Sequence, residues 1–70
     1  MNKVLFIAIE TPLMGQPQIW TSQNATREYN DQVTFDANEG DTVTVRCGYI
    51  DNNGEFDFSD GGCTVVIQPQ

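Results

Sequence analysis

Ten carboxylates and two cysteines are the residues of this chain with chemistry to offer, and no histidine stands among them. Without imidazole, the commonest general base, proton shuttle and transition-metal ligand are absent together. Ser22 and Ser59 therefore lack a base of the triad kind. Paired carboxylates could carry glycosidic acid–base chemistry, but that chemistry also needs a concave site to hold a sugar. A chain of 70 residues can scarcely build one alone. The glycines mark turns and form no phosphate-binding pattern. No enzyme and no cofactor are expected.

Eight of the ten carboxylates (Asp31, Asp36, Glu39, Asp41, Asp51, Glu55, Asp57 and Asp60) fall between residues 31 and 60, where Arg46 is the only base. Asp51-Asn52-Asn53-Gly54-Glu55 and Asp57-Phe58-Ser59-Asp60 supply hard oxygen ligands of the kind calcium takes. The EF-hand spacing fails, because counting back from Gly54 puts Tyr49 where the first acidic ligand belongs. Solvated acidic turns are the expectation, with no metal site. The net charge of −7 excludes direct nucleic-acid binding, which needs cations to replace the counterions around phosphates. Two uses of the charge remain: solubility, or a face complementary to a basic partner. On the second reading Glu55 and Asp57 share one strand face about 6.6–6.8 Å apart, flanked by Asp51 and Asp60 in the turns.

The positioning elements read as strands. Thr42-Val43-Thr44-Val45-Arg46-Cys47-Gly48-Tyr49 alternates, so Val43, Val45, Cys47 and Tyr49 share the inward face. Val4 to Ile9 is apolar at every position, which predicts a strand covered on both faces. Residues 10–17 form a connection with two prolines and a glycine. Gln18 to Thr21 is a short strand with Trp20 in the core, and Ser22 to Thr26 a loop; the pattern at Arg27 to Asn30 decides nothing. Val33, Phe35 and Ala37 alternate inward, and the Asn38-Glu39-Gly40-Asp41 turn predicts a hairpin between residues 32–37 and the strand at Thr42 to Ile50. The Asn53-Gly54 turn leads to Glu55-Phe56-Asp57-Phe58, with both phenylalanines on one face. A last strand runs from Cys63 to Gln68. The fold class is all-β: one domain over residues 1–70, a small antiparallel β-sandwich or partly open barrel of about five to six short strands.

Strand parity puts Cys63 in the row of Val65 and Ile67 and Cys47 in the row of Val43 and Val45. If both rows face one core, a disulfide needs only Cα atoms within about 4.4–6.8 Å. It would contribute about 3 kcal/mol, comparable to the net stability of so small a fold. Two reduced, buried cysteines are the other reading, and both stay open. Gly40 to Cys47 resembles the B-strand of immunoglobulin-like domains, and Asp60-Gly61-Gly62-Cys63 is similar to their second cysteine region. The cysteines are much too close for that family, no tyrosine precedes the second, and Trp20 comes before the first. The resemblance implies strand chemistry and carries no function.

Met1 to Glu10 has an apolar run of Val4 to Ile9 only, shorter than the roughly 7–15 residues a secretion signal uses and far short of the roughly 20 that span a bilayer. Synthesis in the cytoplasm without a targeting signal or membrane contact is expected, so the Asn24-Ala25-Thr26 glycosylation pattern carries little weight. Three functions fit these constraints. The first is a non-enzymatic structural or accessory protein that docks on a larger assembly, such as a phage virion, with self-association open. The second is an acidic inhibitor that occupies a basic nucleic-acid-binding site on a host protein, as phage-encoded anti-defence proteins do, through Asp51, Glu55, Asp57 and Asp60. The third, a carbohydrate-binding module using Trp20 or Tyr49, ranks last because both aromatics suit the core.

Overall fold

In the computed structural model, which describes residues 3–58 and 63–69, the chain is all-β. It forms one open antiparallel sheet of four strands in the order β2-β1-β3-β4. The strands are β1 (Val4–Glu10), β2 (Gln18–Thr21), β3 (Thr44–Ile50) and β4 (Phe56–Asp57). β1, apolar from Val4 to Ile9, takes a central place with neighbours on both edges. It pairs with β3 over its whole length, from Val4 opposite Ile50 to Glu10 opposite Thr44. On its other side it pairs with β2, from Phe6 opposite Thr21 to Ile9 opposite Gln18.

Paired residues in an antiparallel ladder project to the same side, so the register defines two faces. Phe6, Ala8 and Glu10 share the first face with Ile19, Thr44, Arg46, Gly48 and Phe56. Leu5, Ile7 and Ile9 share the second with Trp20, Val45, Cys47 and Tyr49. Val43, Val45, Cys47 and Tyr49 are half-buried while Thr42, Thr44 and Arg46 are exposed, as the alternation predicts. Trp20 is half-buried. Phe6, Ala8 and Ile9 are the buried apolar residues.

Two of the expected strands do not form. Residues 32–37 and 63–68 run without strand pairing, so the described residues make one sheet where a sandwich or barrel of five to six strands was expected. The turn at Asn38 to Asp41 does form: Asp41 N–H donates to the Asn38 carbonyl at 3.0 Å, and Asn38 N–H donates to Asp41 Oδ2 at 2.8 Å. It joins no hairpin, because β3 takes β1 as its partner. β1 offers seven consecutive pairs, and its residues Val4 to Ile9 are apolar on both faces. Residues 32–37 offer apolar groups on one face only, so the long-range pairing buries more.

The hairpin after β3 forms as expected but with a longer loop. Ile50 opposite Phe56 is the last pair, and Asp51 N–H donates to the Glu55 carbonyl at 2.9 Å. Asp51 Oδ1 accepts from the amides of Asn53 and Glu55 at 2.8 and 2.9 Å, an Asx cap that holds the loop. Only Gly54 needs a positive φ there, at 80°.

Two buried polar residues close the framework, and sequence pattern gave no sign of either. Ser22 Oγ accepts from the Leu5 amide at 3.0 Å and donates to the Asn24 carbonyl at 3.0 Å. Thr11 Oγ1 donates to the Asp36 carbonyl at 2.9 Å, pinning the unpaired 32–37 run to the end of β1. Each hydroxyl offsets its burial by bonding backbone.

Candidate functional site

The first face of the sheet carries a groove. Its floor is Ala8, its sides are Pro17 and Ile19 from the β2 end and Phe56 and Phe58 from the β4 end, and its volume is about 240 Å³. The phenylalanines are held from below by Phe6, which is 1% exposed. Its ring centroid lies 4.8 Å from that of Phe56 and 5.1 Å from that of Phe58, the latter edge-on at 88°. These are favourable aromatic geometries. The two phenylalanines share one face, as alternation along residues 55–58 predicts.

Gly48 makes this possible. It lies opposite Phe6 on the same face, and a Cβ there would run into the Asp57 carbonyl oxygen and lie 3.0 Å from Phe58 Cα. The missing side chain lets the end of β4 fold across β3, which brings Phe58 onto Phe6. The upper ring surfaces remain in solvent: Ile19, Phe56 and Phe58 are 43%, 41% and 46% exposed. Arg46 and Glu10 are the charged residues lining the groove, and the Arg46 guanidinium stacks 5.6 Å from the Phe58 centroid. Strand parity puts Phe56 and Phe58 on one face but does not say that Ile19 and Arg46 join them there.

Of the four acidic residues singled out from the sequence, Asp51, Glu55 and Asp57 are among the described residues, and Asp51 and Asp57 are each engaged locally. Asp51 Oδ1 is occupied inside its own loop. Asp57 Oδ2 accepts from the Tyr49 hydroxyl at 2.7 Å on the second face. That bond, with lesser desolvation and the Asp57 charge, raises the Tyr49 pKa above 10, against the opposing pull of Lys3. Lys3 Nζ lies 3.7 Å from the Tyr49 ring centroid. Glu55 is exposed at the exit of the loop, and Asp60 lies outside the described residues. A matching local pair stands elsewhere: the Tyr29 hydroxyl donates to Asp31 Oδ2 at 2.8 Å, and desolvation followed by Asp31 raises the Tyr29 pKa.

Cys47 and Cys63 form a disulfide, with Cα atoms 6.4 Å apart. Of the two readings left open by the sequence, the structure takes the bonded one. The disulfide ties the segment beginning at Cys63 to β3. Among the described residues no three carboxylate or thiol groups converge as a metal site would need. No described helix is long and apolar enough to cross a membrane. No family model, curated protein or solved structure matches the chain.

Proposed function

We propose that this chain is a non-enzymatic docking protein, a small acidic β module that attaches to a larger protein assembly of the phage-virion accessory kind. The observation that carries the reading is the groove on the first face, where Ile19, Phe56 and Phe58 leave more than two-fifths of their surface in water. Three large apolar side chains around one depression are a common mark of a contact surface. The absence of histidine and of any triad or phosphate-binding pattern supports a role without catalysis.

The unpaired runs fit the same reading. Val33 and Phe35 lie beside Val66 and Ile67 around a shared depression, which places two strand-prone segments next to each other without a ladder. Docking would supply the edge they lack and complete a small sandwich or partly open barrel of five to six strands, as strand addition does elsewhere. The test is native mass spectrometry of the protein purified from its source. A stable complex that dissociates in the F58S variant is expected. A chain that travels alone under all gentle conditions contradicts it.

The acidic inhibitor is the second reading, favoured by the concentration of charge between residues 31 and 60. It requires affinity that falls with rising salt and is lost when Asp51, Glu55, Asp57 and Asp60 are neutralised. Docking through the groove keeps its affinity in salt, which separates the two.

A further inference from the structure

We propose that the Cys47–Cys63 disulfide is a reversible redox latch. A dithiol opens it in the folded chain, the 63–69 segment then leaves the second face, and β1 stays paired with β3. Three observations carry this, and none involves the groove on the first face.

The first is access. Cys63 is exposed and Cys47 half-buried. With Leu5 and Ile7 of the second face, and with Thr64 and Val65, the two cysteines line an open depression of about 450 Å³. A small thiol reaches the bond there without any strand having to part.

The second is what the bond joins. Cys47 stands in the middle of β3, paired with Ile7 in a ladder of seven pairs. Backbone hydrogen bonds make that ladder, and they do not need the sulfur. Cys63 begins a segment without strand pairing, in which every residue from 63 to 69 is exposed. The bond therefore ties a part able to leave to a part able to stay.

The third is how lightly apolar contact holds the segment. Val66 and Ile67 sit beside Val33 and Phe35 around one depression, but they are 78% and 53% exposed. So small a buried area contributes little once the covalent link is gone.

The chemistry is thiol–disulfide exchange. A thiolate of the dithiol attacks Cys63 Sγ, forms a mixed disulfide and expels Cys47 as a thiolate. The second thiol attacks the reagent's own sulfur in that mixed bond, closes the dithiol into a ring disulfide and expels Cys63. The dithiol loses two electrons, the protein bond gains them, and the two thiol protons end on Cys47 and Cys63. Exchange with an external disulfide runs the same steps backwards, because β3 still holds Cys47 in place.

The test is the rate at which dithiothreitol reduces the full chain, in native buffer and in urea, read by quenched alkylation and intact mass. A bond shielded by the fold is reduced only as the chain unfolds, so its native rate collapses. The latch predicts a native rate within about tenfold of the rate in urea. In the reduced chain the backbone Overhauser contacts of Phe6 with Gly48 should persist. The heteronuclear Overhauser effects of residues 64–69 should fall to those of a free tail, and glutathione disulfide should restore them. Reduction seen only in urea overturns the proposal. So does a reduced chain that loses the Phe6–Gly48 contacts, or one whose 64–69 segment is no more mobile than before.

Discussion

Gly48 and Tyr49 are neighbours with opposite duties, and each can be tested alone. Gly48 leaves room for the backbone of residues 57 and 58 to cross the sheet. G48A should therefore lower stability by about 1–3 kcal/mol through overpacking, read from its urea midpoint, and should raise the exposure of Phe6. An unchanged midpoint would mean that β4 does not cross there. Tyr49 acts through its hydroxyl. The Asp57 hydrogen bond raises its folded pKa above the unfolded value of 10, so the fold favours the protonated phenol. Its contribution is in full force below pH 10 and is lost as pH climbs through the raised value. Ultraviolet titration should show tyrosine ionising above pH 10, and D57N should bring Tyr49 back toward 10. No movement in D57N would dissolve the pair. Tyr49 was legible as an inward residue from strand parity; its bond to Asp57 was not, because parity says nothing about which acid stands opposite.

β1 and β3 carry the architecture, and they show which elements a pattern reveals. The unbroken apolar run from Val4 to Ile9 foretold a doubly covered strand, and the alternation from Thr42 to Tyr49 foretold a half-covered one. Neither pattern names a partner. The turn at Asn38 to Asp41 made a local hairpin attractive, yet a turn fixes only its own geometry. The long-range ladder won because it satisfies both faces of β1. The Cys63 to Gln68 run shows the converse: its β-branched residues have strand propensity but no ladder in the described structure, since propensity expresses fit to a sheet that must already exist. Its tether is covalent. Reduction of the Cys47–Cys63 bond, which closes a sequence separation of 16, should cost about 3 kcal/mol. The urea midpoint should fall with dithiothreitol, and limited proteolysis should then cut the 63–69 segment before β1 or β3. Equal midpoints with and without reductant would show that other contacts hold the segment.

At the scale of the molecule, the composition shows no histidine, three basic residues and ten carboxylates, a balance that the proposed docking role fits. What composition could not show is how the charge and the apolar groups are sorted in space. Alternation puts Phe56 and Phe58 on one face, and the fold leaves them half outside, propped on Phe6 by the crossing at Gly48. All of this depends on β1 lying between β2 and β3 in the stated register. Nuclear Overhauser contacts across the sheet report that arrangement residue by residue. Backbone contacts of Phe6 with Gly48 and of Ala8 with both Arg46 and Ile19 are expected, with Phe58 ring protons touching Phe6. A ladder joining residues 32–37 to 44–50 instead, with Phe6 remote from Phe58, would contradict the register, and the groove would vanish with it.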